Sequence, residues 1–186
     1  ALLSAIDARE RIEQGDLESA LELATQAARV GRDLGDRDLQ VLGMLTVGQV
    51  LIMSGRAREA LPHLDEVMVA VSSDELTPTV AGLAYCAVIA ICMQLDDLRR
   101  AREWTNALRS WCDSQSGLVP YRGQCLVHRA QIMTMEGSWP EAVDEARTAC
   151  AELRTPAVGD AWYQLGEVHR LRGDFTEAED AYRKAN

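Results

Sequence analysis

Residues 162–185 read WYQLGEVHRLRGDFTEAEDAYRKA, and this stretch predicts two short helices joined by a turn. Trp162 and Leu165 fall on one face of the first helix because apolar side chains three residues apart share a helical face. Gly173 is predicted to end that helix, since glycine readily adopts the left-handed conformation of a helix C-terminus. Asp174 is then placed to cap the second helix.

The same turn recurs along the rest of the chain. A turn residue followed five positions later by an alanine occurs at Gly15/Ala20, Gly55/Ala60, Asp96/Ala101, Gly137/Ala142 and Gly173/Ala178. Five alanines at one offset from five turns indicate five copies of one helix–turn–helix unit, stacked side by side. We therefore predict an all-α, right-handed solenoid of four to five helix pairs, about ten helices in all.

Composition agrees with a single folded unit spanning residues 1–186. The chain is 47% hydrophobic with only one Phe, and small or flexible apolar side chains suit close contacts between helices. No Pro-, Gly- or Ser-rich linker divides the sequence. Because both ends fall inside helical patterns, we expect the chain to be part of a larger protein.

The spacing of the quoted stretch resembles the tetratricopeptide repeat (TPR). Its Trp162, Leu165-Gly166, Ala178 and Tyr182 stand at the steps that this repeat uses. Gly48 takes the place of Gly166 in an earlier unit, where a small residue lets the two helices of a pair approach closely. The resemblance implies a superhelical interaction domain that binds a partner in a concave groove.

Further helix boundaries follow from local signals. Gly31 and Gly35 are predicted to end the second helix, and Thr77-Pro78 to begin the fifth. Ser138 and Glu141 form a predicted capping box. The fourth helix pair is predicted to begin after Gly117. The last helix pair is predicted to begin at Thr155-Pro156.

Charge and cysteine content narrow the class of partner. The formal net charge is −10, which opposes binding to nucleic acids or anionic membranes.

The five cysteines are odd in number and form no CxxC motif, so reduced thiols in a cytoplasmic protein are expected. We find no signal peptide and no apolar run of membrane-spanning length.

Catalytic and cofactor motifs are not found in the sequence. The three histidines, His63, His128 and His169, have no accompanying metal-ligand motif, and no glycine-rich phosphate loop or nucleophile elbow occurs. His169 falls at a position that TPRs use for packing. We predict no enzymatic activity, no metal and no cofactor.

The TPR resemblance also implies which residues line the groove. Its groove positions with polar or flexible side chains here are Gln49, Met53, Met93, Gln94, Gln124, Gln131, Met135, Tyr163, Glu167 and Arg170. The wider set adds Leu42, Leu45, Ile52, Leu83, Cys86, Ala90, Val127, Thr134, Asp160 and Leu171. Flexible thioethers suit adaptable contact with an apolar helix or ligand. The alternative is that these side chains simply pack between repeats.

One TPR function is disfavoured by these positions. TPR domains that hold chaperone C-termini clamp a carboxylate with Lys and Asn. The corresponding positions here are Leu45/Gln49, Cys86/Ala90 and Val127/Gln131, which carry no such clamp.

A narrower resemblance covers most of the chain and is carried by two stretches of its C-terminal half. Residues 119–150, VPYRGQCLVHRAQIMTMEGSWPEAVDEARTAC, and residues 159–186 look like the helical-repeat region of LuxR-type (MalT-like) bacterial transcriptional regulators. This resemblance implies a regulatory domain that binds a protein partner or effector. A small-molecule sensor and a TPR scaffold unrelated to transcription are the alternatives.

Self-association is a last expectation from the sequence. The end of a repeat array is apolar because each unit packs on a neighbour. We therefore expect a homodimer through the C-terminal repeat, with Phe175 and Tyr182 on the uncovered face, and the alternative is a monomer whose end stays solvated.

Overall fold

The computed structural model describes residues 2–114, 119–154 and 158–186, with side chains from residue 7 onward except residues 9 and 119–122. These residues form ten α-helices and no strand. The helices are α1 (Leu2–Glu13), α2 (Leu17–Leu34), α3 (Arg37–Met53), α4 (Ala57–Ser72), α5 (Pro78–Gln94), α6 (Leu98–Ser114), α7 (Val119–Met135), α8 (Trp139–Glu152), α9 (Val158–Arg172) and α10 (Phe175–Ala185). The predicted starts at Gly117 and Thr155-Pro156 lie outside the described residues.

All five predicted turns are present and share one geometry. The turn residue has a positive φ at Gly15 (78°), Gly55 (73°), Asp96 (55°), Gly137 (80°) and Gly173 (85°). In each turn the next backbone N–H donates to a carbonyl five residues earlier, at 2.7 to 2.9 Å. This is the Schellman motif, which satisfies carbonyls left open at a helix end.

The alanine five residues after each turn is buried, as its recurrence predicted. The exposed fraction is 0% at Ala20, Ala60, Ala101 and Ala142, and 3% at Ala178. A buried side chain as small as a methyl group lets two packed helices approach closely.

The helices group into two compact units, residues 1–91 and residues 92–186. In the first, α1 packs on α2 and α3, α2 on α3, and α3 on α4. In the second, α6 packs on α7, α7 on α8 and α9, α8 on α9, and α9 on α10. Within each unit, the helices named here pack on their neighbours in sequence, as in stacked helix pairs. The prediction of one structural unit over the whole chain stays a prediction.

The crossing of α2 and α3 corrects one predicted boundary. Gly35, with φ 70°, ends α2, whereas Gly31 is buried inside the helix. A Cβ built on Gly31 would lie 2.4 Å from the backbone nitrogen of Gln40, and one on Gly43 would lie 2.4 Å from that of Ala28. The two helices thus touch backbone to backbone, and Gly31 serves that contact.

The predicted role of the small residue at Gly48 and Gly166 is confirmed. A Cβ on Gly48 would lie 2.8 Å from Cδ2 of Leu64, and one on Gly166 would lie 2.6 Å from the ring of Tyr182. Helices α3 and α4 form one pair, and α9 and α10 form another. Each glycine therefore lets the two helices of its own pair approach closely.

Two predicted N-caps are not formed by their side chains. Ser138 and Asp174 occupy the N-cap positions of α8 and α10, but neither side chain makes a capping hydrogen bond. The carboxylate of Asp174 instead lies 3.2 Å from Nδ1 of His169 and 3.0 Å from Nε of Arg172. The Asp174 oxygen is therefore directed back to α9.

A polar contact joins the starts of α3 and α5. The backbone N–H and the hydroxyl of Thr77 donate to the carboxylate of Asp38 at 2.9 and 2.6 Å. Beside it, Arg37 pairs with Glu75 at 2.6 Å. The first helices of successive pairs are thereby fixed at one end.

Helix α5 is apolar along most of its length and is buried over most of its surface. Ala84 and Ile89 are fully buried, and Val88 is 2% exposed, whereas Leu83 is 48% exposed.

Within the described ranges, no helix combines the length and apolarity needed to cross a membrane.

Candidate functional site

The structure places the predicted groove residues on four helices. Gln49 and Met53 lie on α3, Met93 and Gln94 at the end of α5, Gln124, Gln131 and Met135 on α7, and Tyr163, Glu167 and Arg170 on α9. Those that are exposed are Gln49, Met53, Gln94, Met135, Tyr163 and Arg170, and the other four are partly buried. Since α7 and α9 are in direct contact, the last six residues form one candidate surface, the α7–α9 face.

Two residues of the wider predicted set do not reach the surface. Leu45 is 7% exposed and Val127 is 1% exposed, so their assignment to the groove is wrong. Val127 packs in a buried cluster with Ala149, Leu153 and Ala161. These side chains belong to the hydrophobic core because α3 and α7 bury apolar residues on more than one side.

The floor of the α7–α9 face is held by amide hydrogen bonds. Nε2 of Gln164 donates to the hydroxyl of Thr134 at 3.0 Å, which joins α9 to α7. On α7 itself, Oε1 of Gln131 lies 3.3 Å from Nδ1 of His128. Gln164 and His128 are buried, and the groove pattern did not include them. The sequence feature that could have identified them is a polar residue within an otherwise apolar stripe of a helix.

Tyr163 is the prominent exposed side chain of this face. It is 57% exposed, and its ring centroid lies 5.7 Å from that of Tyr182 at an interplanar angle of 49°. Tilted aromatic pairs of this kind are favourable beyond their area burial. Because Tyr182 also contacts Gly166, Tyr163 rests on a ring that is itself fixed.

The ion pair between Glu167 and Arg170 lies beside the two tyrosines. Each charged group is compensated by the other. Arg170 donates from Nη2 and Nε to the two carboxylate oxygens of Glu167 at 2.8 and 3.3 Å, and the Tyr182 hydroxyl donates to the same carboxylate. The bond from Arg170, and then that from Tyr182, hold the pKa of Glu167 below its usual value. Desolvation, followed by the Glu167 hydrogen bond, raises the pKa of Tyr182. The exposed side chains of this face are therefore Tyr163, Met135 and Arg170, and the charge of Arg170 is compensated by Glu167.

The contact of Tyr182 with α9 also corrects the predicted dimer surface. Phe175 is 69% exposed, but Tyr182 faces Gly166 and Glu167 within its own pair. Tyr182 therefore does not form an uncovered face with Phe175. Self-association through the C-terminal repeat stays a prediction.

His128 is a buried histidine with one unsatisfied nitrogen. It is 5% exposed, and among the described side chains its Nε2 is the buried polar atom without a hydrogen-bond partner. Burial lowers the pKa of His128, while the bond to Gln131 and the charge of Asp160 act in the opposite direction. The ring is thus neutral at pH 7, and protonating it would place a charge in the core.

This arrangement predicts an acid-sensitive fold. The unfolded chain takes up a proton at His128 near pH 6.5, but the folded chain does so only at lower pH, so stability falls as pH decreases below 6.5. We expect the free energy of unfolding to fall between pH 7.5 and pH 5.5 by about 1 kcal/mol more in the wild type than in His128→Leu. Urea titrations at the two pH values measure this difference. Equal pH dependence in the two proteins would contradict the assignment.

A second concave feature lies between α6 and α7. The cleft has a volume of about 140 Å³ and is lined by Arg102, Thr105, Asn106, Arg129, Ile132, Met133 and Glu136. Its two arginines are occupied, since Arg102 pairs with Glu136, and Arg129 pairs with Glu145 at 2.6 Å. The cleft was not predicted, and its ion pairs join α6 to α7 and α7 to α8.

None of the five cysteines, all of which lie within the described ranges, forms a disulfide. Burial raises the pKa of Cys125 to about 12 and that of Cys150 to about 11. These two thiols therefore stay protonated at neutral pH, where the thiolate would be the reactive form.

Comparison with known proteins supports the repeat architecture. The sequence profile of the tetratricopeptide repeat matches residues 159–185, which is the last helix pair. No curated protein matches the sequence.

Several solved structures share the fold at low identity. BtubC (BKLC) from P. vanneervenii is 18% identical with a TM-score of 0.71, over 96% of this chain and 75% of that one. The nearly identical TPR-like repeats of a putative kinesin light chain from Podosopora anserina are 17% identical with a TM-score of 0.71, over 98% and 91%. YrrB, described as a TPR protein with an unusual peptide-binding site, is 15% identical with a TM-score of 0.54, over 98% and 82%. The predicted fold class, an all-α solenoid of TPR-like helix pairs, is confirmed.

Proposed function

We propose that the chain is a non-catalytic interaction domain that binds a segment of a protein partner on the α7–α9 face. The observation that carries the proposal is Tyr163, a large exposed aromatic ring held in place by Tyr182 on a floor of amide hydrogen bonds. Aromatic side chains in such rigid positions are frequent anchors of protein interfaces. Met135, 48% exposed on the neighbouring helix, adds a flexible apolar contact.

Two further findings support a peptide as the ligand. TPR-type folds are interaction scaffolds, and one of the similar structures is described as having a peptide-binding site. The charges of Glu167 and Arg170 compensate each other beside Tyr163, so affinity would come mainly from apolar contact and from backbone hydrogen bonds to Gln124 and Gln131.

Replacing Tyr163 by Ala is expected to weaken such binding at least tenfold, because alanine removes an exposed anchor ring. The test begins with selection of peptides from a random phage-displayed library on the wild-type protein. The recovered peptides are then synthesised, and their affinity for wild type and Tyr163→Ala is measured by fluorescence anisotropy.

The matched control is Val69→Ala. Val69 is 66% exposed on α4, so its removal deletes an exposed apolar side chain far along the chain from Tyr163. Peptides that bind Tyr163→Ala and Val69→Ala equally well would place the binding surface elsewhere. Circular dichroism of both variants verifies that the helices are retained.

The regulatory context is a finer part of the proposal. It rests on the resemblance of residues 119–150 and 159–186 to the helical-repeat region of LuxR-type bacterial transcriptional regulators, which act in the cytoplasm. A helix-turn-helix domain encoded downstream in the same gene would support it, and its absence there would remove the argument. Native mass spectrometry of freshly purified protein distinguishes a small-molecule effector, which would be retained, from a peptide partner.

A further inference from the structure

Exposed apolar side chains line the turn edge of the two C-terminal helix pairs. Met135 and Leu171 stand two residues before the turn glycines and are 48% and 43% exposed. Trp139 and Phe175 stand two residues after them and are 37% and 69% exposed. We call these four side chains the turn ridge. It continues the α7–α9 face at Met135 but extends onto α8 and α10.

The turn itself does not require these side chains. The equivalent positions of the three earlier turns are Glu13 and Leu17, Met53 and Ala57, and Gln94 and Leu98. Of these six, only Met53 is both apolar and well exposed. All five turns nevertheless share one backbone geometry. The ridge is therefore a property of the last two helix pairs and not of the repeat.

One ring of the ridge is held by a hydrogen bond, and the usual distance between packed helices is close to the rise of two turns of a helix. The indole N–H of Trp139 donates to the Thr134 carbonyl at 3.3 Å, which fixes the ring over its own turn. Packed helices such as α7 and α9 lie about 8–10 Å apart. Seven residues of an α-helix rise about 10.5 Å. A helix with apolar residues at positions i, i+3, i+4 and i+7 would thus contact both pairs at once.

Acidic side chains border the ridge. Glu141 and Asp144 on α8 and Glu177 on α10 are exposed, and no cation pairs with them within the described ranges. The neighbouring Arg172 is bound by Asp174 at 3.0 Å. The local field at the ridge is therefore negative, which attracts a basic partner.

We propose that the turn ridge binds a basic amphipathic helix of a partner protein. A second copy of this chain fits less well, because it carries a net charge of −10 and would bring acidic side chains against acidic side chains. Four partly exposed side chains also offer a few hundred Å², below the roughly 800 Å² per partner of a stable interface. That area suits the anchor contacts of a single helix.

The experiment uses a fluorescein-labelled peptide of about 14 leucines and lysines, with leucines at i, i+3, i+4 and i+7. A peptide with glutamates in place of the lysines is the charge control. Fluorescence anisotropy at about 0.15 M salt is measured with wild type, with Leu171→Ser/Phe175→Ser and with Leu34→Ser/Val69→Ser. The last variant removes two exposed apolar side chains, 73% and 66% exposed, from the N-terminal unit.

We expect the lysine peptide to bind wild type, to lose at least tenfold in affinity on Leu171→Ser/Phe175→Ser, and to lose less than twofold on Leu34→Ser/Val69→Ser. Glu141→Gln/Glu177→Gln should weaken binding more than Glu18→Gln/Glu22→Gln, which changes the net charge equally on exposed positions of α2. Equal losses in the two serine variants, or equal binding of the glutamate peptide, would overturn the proposal.

Two readouts separate this proposal from others. Tyr163→Ala should leave the affinity for the lysine peptide within twofold of wild type. Binding at the turn ridge and binding at the α7–α9 face are therefore tested separately. Sedimentation velocity at micromolar concentration tests self-association. A wild-type dimer that becomes monomeric in Leu171→Ser/Phe175→Ser would assign the ridge to a second copy and overturn the basic partner.

Discussion

Replacing Gly43 by Ala is expected to destabilise the N-terminal unit by about 3 kcal/mol, the upper end of the usual cost of overpacking. The new Cβ would lie 2.4 Å from the backbone nitrogen and 2.8 Å from Cα of Ala28. Backbone atoms of a helix cannot rotate away as a side chain does. The crossing of α2 and α3 would have to widen, and apolar contacts along both helices would weaken with it.

Gly48→Ala on the same helix is the matched control. Its Cβ would meet the end of the Leu64 side chain at 2.8 Å, which a rotamer change relieves at modest cost. At both positions alanine also favours the helix over glycine by about 1 kcal/mol, so helix propensity does not explain a loss. Urea denaturation followed by circular dichroism measures both variants. A Gly43→Ala protein as stable as Gly48→Ala would show that the backbone contact is looser than described.

Ala142→Leu is expected to cost about 2–3 kcal/mol in the C-terminal unit. Ala142 is fully buried in a cluster with Ala130, Leu165 and Val168. Three added carbon atoms have no space at this contact, because protein interiors are close-packed. The substitution tests directly why an alanine follows each turn at the same distance.

Ala151→Leu provides the comparison on the same helix, since Ala151 is exposed near the end of α8. It should change the unfolding free energy by less than about 0.5 kcal/mol, as surface substitutions usually do. Thermal melts of the two variants at one pH and concentration give the comparison. Similar losses at both positions would refute a specific steric role for Ala142.

Turns and small residues were predictable because their causes are local. A positive φ after an apolar helix favours glycine, and the Schellman hydrogen bonds join residues only five apart. Asp96 could be assigned to the same class although it is not glycine, because the alanine at Ala101 kept the offset. The small residues Gly48 and Gly166 followed from their place within a pair.

Features that depend on a distant partner were missed or misassigned. Gly31 carries the same signal as a helix-ending glycine, and only the position of Gln40 on α3 shows that it serves a crossing. Asp174 has the side chain of an N-cap, but His169 and Arg172 bind it. The local sequence does not determine whether an aspartate side chain binds the backbone of the next helix or the side chains of the previous one.

The TPR resemblance assigned Tyr163 and Met135 to the groove, and both are exposed, but their role in binding stays a prediction. The resemblance also assigned Leu45 and Val127, which are buried, because α3 and α7 bury apolar residues on more than one side. The support of Tyr163 by Tyr182 depends on the packing of α10 against α9, which spacing within one helix does not encode.

The locality of the shared turn has a kinetic consequence. Each Schellman hydrogen bond spans five residues, and most helices pack on the next in sequence, so most helix–helix contacts close across short connections. Helical chains dominated by local contacts fold in about microseconds to milliseconds. During synthesis at about 5–20 residues per second, each helix pair would therefore form within the time needed to add the next residue. The order in which the pairs appear would follow the direction of translation.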